Sequence, residues 1–477
     1  MKKSLLILVS LVLSSLLTTS AQTIGDLWGL TYAGGALQGV AFKYSHSTYT
    51  IMHDFGAIND GSEPKASLIE ASDSNLYGMT EYGGISSNLG TIFKCTPSGI
   101  VTVLHTFTGT PSDGSYPNGN LIQANDGNFY GMTQYGGDSN EGTIFKCTPT
   151  GIVTVLHSFI GGNGDGLYPL GDLIQANDGN LYGMTESGGG GTNAGIIFKC
   201  TLSGTVTMLF SFGSVTPVSG YPIGSLVQAN DGNLYGMAGG GASTKGIIFK
   251  STPSGTLTVL HNFTGASGDG SYPSGNLIQA NDGNLYGMTG NGGDSNAGTI
   301  FKCTLAGTVT LLHSFTGDSA DGAHPSASLI QASDSNLYGM TNAGGTSNKG
   351  IIFKFTLSGV ITDLENFNGT NGFLIHGNLL EYKTNPTSTN QLRNNVTDIS
   401  VYPIPSKGHF IADLKGYRSE SITVYDEVGK AILKQSLKNE DRENIVNVDM
   451  SNYTAGIYFV QIITNQGVID RKIIIQK

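Results

Sequence analysis

Leu181-Tyr182-Gly183-Met184-Thr185 is one copy of a phrase that recurs along most of the chain. Its aromatic residue falls at Trp28, Tyr77, Tyr130, Tyr182, Tyr235, Tyr286 and Tyr338, at intervals of 49 to 53 residues. A period in this range, with no helical apolar pattern inside it, points to sheet-built repeats rather than a helical solenoid.

The unit from Gly119 to Phe159 shows the pattern. Leu121–Ala124 is a short β run. Asn125-Asp126-Gly127-Asn128 is a tight turn, because Asn, Asp and Gly tolerate positive φ. Phe129–Thr133 follows as a second strand, then a longer loop over Tyr135–Gly142. Thr143–Cys147 is a third strand, and Thr148–Gly151 a second tight turn. Ile152–Phe159 is a fourth strand, with Val153, Val155, His157 and Phe159 on one face by alternation. Four antiparallel strands per unit make a propeller blade. The fold expected for residues 22–383 is therefore all-β, a seven-bladed β-propeller. The first unit begins at Leu27-Trp28-Gly29 without a first strand of its own. Gly377-Asn378-Leu379-Leu380 repeats that strand at the far end, so residues 377–382 are expected to close the ring and hide two sheet edges. Short turns fall on one face of the disc and long loops on the other, which makes the loop face the better place for a site.

Charge is unevenly spread. Residues 22–383 hold 11 Lys, no Arg and 25 Asp plus Glu, a balance of −14. An acidic body without arginine is a poor match for nucleic acid, whose phosphates need basic groups. Lys2 and Lys3 ahead of the apolar run Leu5–Leu17, with Thr19-Ser20-Ala21 behind it, read as a signal peptide over residues 1–21. That run is too short to span a membrane, and no later segment is long enough. The four cysteines, Cys95, Cys147, Cys200 and Cys303, share one repeat position. Equivalent positions on different blades lie too far apart to bridge, so they read as buried thiols.

Features present in nearly every unit read as architecture. The lysine that follows Phe in each third strand suits a stem packed between blades, its head in water or on a turn carboxylate. His53, His105, His157, His261 and His313 read as packing residues bonded to backbone. Irregular features carry the functional candidates. His324 replaces the tyrosine of a Tyr-Pro pair, and His376 lies in the next such loop. With Asp321 they are candidates for an acid–base group. Asp138 and Asp294 open Asp-Ser-Asn loops that would suit Ca²⁺, though each offers few oxygens; no other cofactor is expected. Tyr82 and Tyr135, beside Gly-Gly, and Tyr116, Tyr168 and Tyr272 offer faces on which sugar rings stack.

Composition shifts after Tyr382. Residues 384–398 read as a polar linker, and residues 399–477 as a small β-sandwich of about seven strands. That segment resembles the C-terminal sorting domain of the type IX (Por) secretion system of Bacteroidetes. The likeness rests on Val401-Tyr402-Pro403-Ile404-Pro405 with Gly408, on Val424-Tyr425-Asp426 with Gly429 and Lys430, on Gly456-Ile457-Tyr458, and on Arg471-Lys472-Ile473. It departs from the family at Ile404, where Asn is usual. The resemblance implies type IX secretion machinery as a partner, and a secreted or outer-membrane cell-surface location after signal cleavage. The repeats resemble the extracellular GloVer family through Gly142-Thr143-Ile144-Phe145-Lys146 and Asp178-Gly179-Asn180-Leu181-Tyr182-Gly183. That likeness supports the fold and implies no chemistry. Three functions stay open: a glycan- or protein-binding propeller without enzymatic activity, a polysaccharide lyase or hydrolase using His324 and His376, and a structural surface protein.

Overall fold

The computed structural model describes residues 24–382 and 400–476, apart from 36–37, 58, 86, 110, 215–219, 223, 404, 415–418, 427–430, 437–444 and 465–466. The expected signal peptide and linker, with Ile404, Gly429 and Lys430, lie outside the described residues. The chain divides into two compact units, Met1–Lys383 and Thr384–Lys477.

The first unit is a propeller-like all-β assembly of seven four-stranded antiparallel sheets, one per repeat. In the third repeat the strands are Ile122–Gln123, Phe129–Thr133, Thr143–Cys147 and Val153–Ser158. The first strand is shorter than expected, because Ala124 already turns back to accept from Gly127 N. The sheet of the first repeat has strands Asp26–Thr31, Val40–Ser45 and Thr48–Asp54, and takes Leu380–Tyr382 as its fourth. There Trp28 pairs with Leu380 and Asp26 with Tyr382.

Each third strand pairs with its fourth through a bulge that sequence alternation did not foresee. In the third repeat Phe145 faces Val155 while the preceding Ile144 faces His157. The strict alternation expected across Val153, Val155 and His157 breaks at that point, and the outer strand bends.

Apolar clusters join consecutive sheets. Phe159 packs with Leu173, Leu181 and Phe198 of the next repeat. Phe367 of the last repeat packs with Leu27 and Phe42 of the first. Within each sheet the glycine of Leu-Tyr-Gly-Met has a fixed reason. Gly183 pairs with Phe198, and a Cβ there would sit 2.6 Å from the Phe198 ring. The four cysteines are buried and free, as their shared position implied. Burial pushes the Cys95 and Cys147 thiols up to about 12.

The short-turn side is held by a repeated ion pair. Lys146 Nζ and Tyr130 Oη both donate to Asp126 Oδ2 at 2.9 Å, and Asn128 N donates to Oδ1 at 3.1 Å. Equivalent pairs join Lys94 to Asp73, Lys199 to Asp178, Lys250 to Asp231 and Lys354 to Asp334. The recurrent lysine thus uses the turn carboxylate. At Asp73, burial opposes ionisation, but Lys94, Asn75 and Tyr77 outweigh it and hold the carboxyl at about 2. Asp126, Asp178 and Asp231 lie further below the usual range for the same reasons. A carboxyl depressed by folding stabilises fully above its unfolded value and loses that contribution as pH falls through its folded value. Stability is therefore expected to fall steeply as pH drops from the ordinary 3.8 towards about 2. A series of urea titrations across that window measures it; a flat profile would mean that these pairs are solvated surface contacts.

The second unit has a three-stranded sheet, Ser400–Tyr402, His409–Asp413 and Ile445–Asp449. A four-stranded sheet contains Ser419–Tyr425, Ala431–Ser436, Gly456–Thr464 and Gly467–Ile475. Phe410, Ala412 and Val448 of one pack with Ile422, Val424, Val460 and Ile473 of the other. Of the expected sorting residues, Tyr402, Pro403 and Pro405 are exposed. Gly408 has φ 97° and lies against Ser451. Gly456 opens its strand, and buried Tyr458 donates to Thr454 O at 2.8 Å. Lys472 pairs along the backbone with Phe459.

Candidate functional site

In each repeat an oxygen-bearing side chain precedes the leucine that leads into the innermost strand pairing: Ser67, Asn120, Asp172, Ser225, Asn276, Ser328 and Asn378. Each backbone N–H donates to the next of these side chains. Asn120 N reaches Asp172 Oδ1 at 2.7 Å, Asp172 N reaches Ser225 Oγ at 2.6 Å, and Ser225 N reaches Asn276 Oδ1 at 2.6 Å. Asn276 N meets Ser328 Oγ and Ser328 N meets Asn378 Oδ1, both at 2.6 Å. Asn378 N returns to Ser67 Oγ at 2.7 Å, and Ser67 N donates to Asn120 Oδ1 at 2.5 Å. The result is a cyclic belt of seven hydrogen bonds. Asp172 also accepts from Asn120 Nδ2 at 2.8 Å and Asn276 Nδ2 at 3.0 Å. Desolvation raises its carboxyl above the usual range, against the donors from Asn120, Ser225 and Asn276. Sequence reading missed this belt, because no single Ser or Asn in it looks unusual.

A cavity of about 820 Å³ lies to the short-turn side of the belt, its wall formed by Ile122, Ile174, Val227, Ile278 and Ile330. To the loop side lies a cavity of about 300 Å³, lined mostly by residues with polar side chains or by glycine. Its rim comes from the residues two positions before the belt: Lys65, Asn118, Leu170, Ser274, Ser326 and His376. A second layer braces this rim. Lys65 Nζ reaches Glu81 Oε1 at 3.5 Å, Asn118 Nδ2 donates to Gln134 Oε1 at 2.8 Å, and Asn342 Nδ2 donates to Ser326 Oγ at 2.8 Å. His376 stands edge-on to Tyr32, with centroids 5.3 Å apart. Burial, aided by Lys65, pulls its imidazole down to about 4, so the ring is neutral at neutral pH. Burial raises Glu81 despite Lys65.

Four of the five candidate tyrosines come together. Tyr82 and Tyr116 meet at 5.3 Å, Tyr116 and Tyr135 at 5.9 Å, and Tyr135 and Tyr168 at 5.3 Å, as one arc of half-buried rings. The arc adjoins the cavity rim through the chain itself. Tyr116 precedes Pro117-Asn118, Tyr168 precedes Pro169-Leu170, and Tyr82 and Tyr135 follow Glu81 and Gln134. Tyr272 stands apart, half-exposed, with Lys245 Nζ 5.1 Å from its ring centre.

The histidine group expected from sequence is not assembled as a unit. His376 lines the cavity, but His324 occupies the register of Tyr116, two positions away, and does not line it. His324 is exposed and its Nδ1 donates to Gly290 O at 2.8 Å. Asp321 belongs to a different partner: it accepts from His313 Nε2 at 3.1 Å, Thr316 N at 2.9 Å and Gly322 N at 2.9 Å. The same clamp recurs at His53–Asp60, His105–Asp113, His157–Asp165 and His261–Asp269. The recurrent histidines thus bond loop carboxylates rather than the backbone expected for them. Asp138 is exposed, and Asp294 accepts from Ser267 Oγ at 2.5 Å. Among the described residues no three His, Cys, Asp or Glu side chains gather as a metal site.

The family model of the Gloeobacter/Verrucomicrobia repeat matches residues 14–193 and 175–394. The chain belongs to that repeat family. A secretion-system C-terminal sorting domain of the Por type matches residues 400–476 of this repeat protein. That domain is handled by type IX secretion machinery, which makes the repeat protein a secreted or cell-surface one. No helix among the described residues is long and apolar enough to cross a membrane. No curated protein matches the chain. Among solved structures, a periplasmic gluconolactonase of Pseudomonas aeruginosa is 15% identical, with TM-score 0.49, over 74% of this chain and 98% of its own. A putative 6-phosphogluconolactonase of Bacteroides uniformis is 16% identical, with TM-score 0.49, over 71% and 95%. A Burkholderia pseudomallei lectin is 7% identical, with TM-score 0.48, over 72% and 98%.

Proposed function

We propose that the repeat protein is a closed seven-bladed β-propeller that binds a glycan on its loop face, exported by the type IX route after loss of residues 1–21. In this reading residues 22–383 are the propeller, 384–398 a linker and 399–477 the sorting domain. The cyclic belt and the Phe367–Leu27–Phe42 cluster support closure, since both join the last repeat to the first. The arc of four tyrosines beside the loop-side cavity carries the binding reading. Flat aromatic faces cover the apolar faces of sugar rings while polar groups meet the hydroxyls. The reading is tested on a glycan array with the full chain. Tyr135→Ala is expected to weaken the best glycan about tenfold, the loss of one good aromatic contact, with only a modest fall in melting temperature from its lost contacts with Tyr116 and Tyr168. Unchanged affinity would count against the arc.

One observation favours a second reading, a lyase or hydrolase acting on polysaccharide. His376 places an imidazole on the wall of a cavity, unprotonated at neutral pH and able to accept a proton, though its lowered pKa makes it a weak base. Its mark would be turnover that His376→Gln abolishes while binding survives.

A further inference from the structure

Among the described residues of the loop face, the buried polar atoms without a hydrogen-bond partner are acceptors. Asn118 is 7% exposed, and its Oδ1 is buried without a hydrogen-bond partner. Its orientation is set by Nδ2, which already donates to Gln134. Glu141 Oε2 is likewise buried without a hydrogen-bond partner, although the Tyr168 hydroxyl bonds to the same carboxyl. A ligand that completes this face brings donors.

Charge points the same way. Glu63 and Glu81 act on the Tyr82 hydroxyl, and Glu141 and Glu186 on that of Tyr168, so both ends of the arc carry carboxylates. Glu186 occupies the position from which Gln134 braces Asn118, but its counterpart on the rim is Leu170, which offers it no hydrogen bond. Among the described rim residues Lys65 is the one lysine, and Glu81 already holds it. The face of a tyrosine ring attracts cations, and nearby carboxylates strengthen that preference. The chain makes this contact itself at Tyr272, where Lys245 covers the ring. No lysine covers a ring of the arc among the described contacts.

We infer that the glycan is a cationic amino sugar chain, whose protonated amines lie over the Tyr82–Tyr168 arc between the glutamates and whose terminal unit donates to Asn118 in the cavity. This rests on the glycan reading above. An N-acetylated chain of the same backbone lacks the charge and leaves the carboxylates unanswered.

Calorimetric titration of the full chain with glucosamine oligomers and with N-acetylglucosamine oligomers of equal length tests it, with oligolysine as a third probe. The expected result is binding of the glucosamine oligomer at least about tenfold tighter than its acetylated form, weakening as salt rises. Glu186→Gln, a neutral isostere, is expected to cut glucosamine-oligomer affinity about fivefold and leave any acetylated-oligomer affinity unchanged. Equal affinity for the two oligomers overturns the inference about charge and leaves the glycan reading standing. So does binding on the array confined to neutral or acidic glycans. Oligolysine binding as tightly as the glucosamine oligomer overturns the amino sugar in favour of a basic peptide, and the glycan reading falls with it. Failure of all probes and of the array overturns both.

Discussion

A chain carrying Leu379→Asp is expected to lose about 4 kcal/mol or more of stability. Leu379 is 3% exposed and belongs to the cluster that joins Leu27, Phe42 and Phe367. It lies between Asn378, which links the belt in both directions, and Leu380, which pairs with Trp28. An aspartate there puts an unpaired carboxylate into an apolar site and pulls away the strand that completes the first sheet. The lost edge pairing adds to the desolvation cost. Urea unfolding followed by tyrosine and tryptophan fluorescence measures the effect. Wild-type behaviour would mean that residues 377–382 are an accessory segment, and closure of the ring would have to be abandoned.

The second large effect is expected from the smallest change. Gly183→Ala adds one methyl group, yet should cost about 3 kcal/mol, the upper range for overpacking a tight core. The added carbon would meet Phe198 Cζ at 2.6 Å and Leu173 Cδ2 at 3.0 Å, both side chains buried. Phe198 is fixed between its own sheet and Phe159 of the preceding repeat, 5.5 Å away, so it cannot retreat without disturbing a second sheet. Gly179→Ala is a useful contrast: its added carbon meets nothing within 4 Å, and its cost comes from the positive φ of 79° alone. Thermal melts of the two variants separate packing from backbone strain; a smaller loss at Gly183 than at Gly179 would contradict the packing account.

The repeat, its four strands and the stray strand after Phe367 were legible because each leaves a local mark. Tyr182 and its equivalents recur at fixed intervals, Asp178-Gly179 marks a turn, and Asn378-Leu379 repeats Asn120-Leu121. The tyrosine candidates were legible in part, since Tyr116 and Tyr168 each precede a proline at the same repeat position. That they touch Tyr82 and Tyr135 depends on neighbouring sheets and has no mark in the chain. The belt was hidden for the opposite reason. Its members differ in type, and only stacking the repeats shows an oxygen before each leucine. The same stacking sets the two histidines in different registers, His324 with Tyr116 and His376 with Asn118. The His313–Asp321 contact had no mark in the sequence, because it depends on the bulge between the third and fourth strands.

The first sheet has a consequence for the order of events in the cell. Its three early strands wait for a partner encoded some 350 residues later, Asp26 for Tyr382. Until that last piece emerges, Trp28 and Leu27 have an open side and the neighbouring repeats lack a final clasp. The completing piece lies directly ahead of the sorting domain in the gene order of the chain. Synthesis therefore supplies the last strand of the first sheet only after every other repeat has been made, so the earliest sheet is the last to be completed.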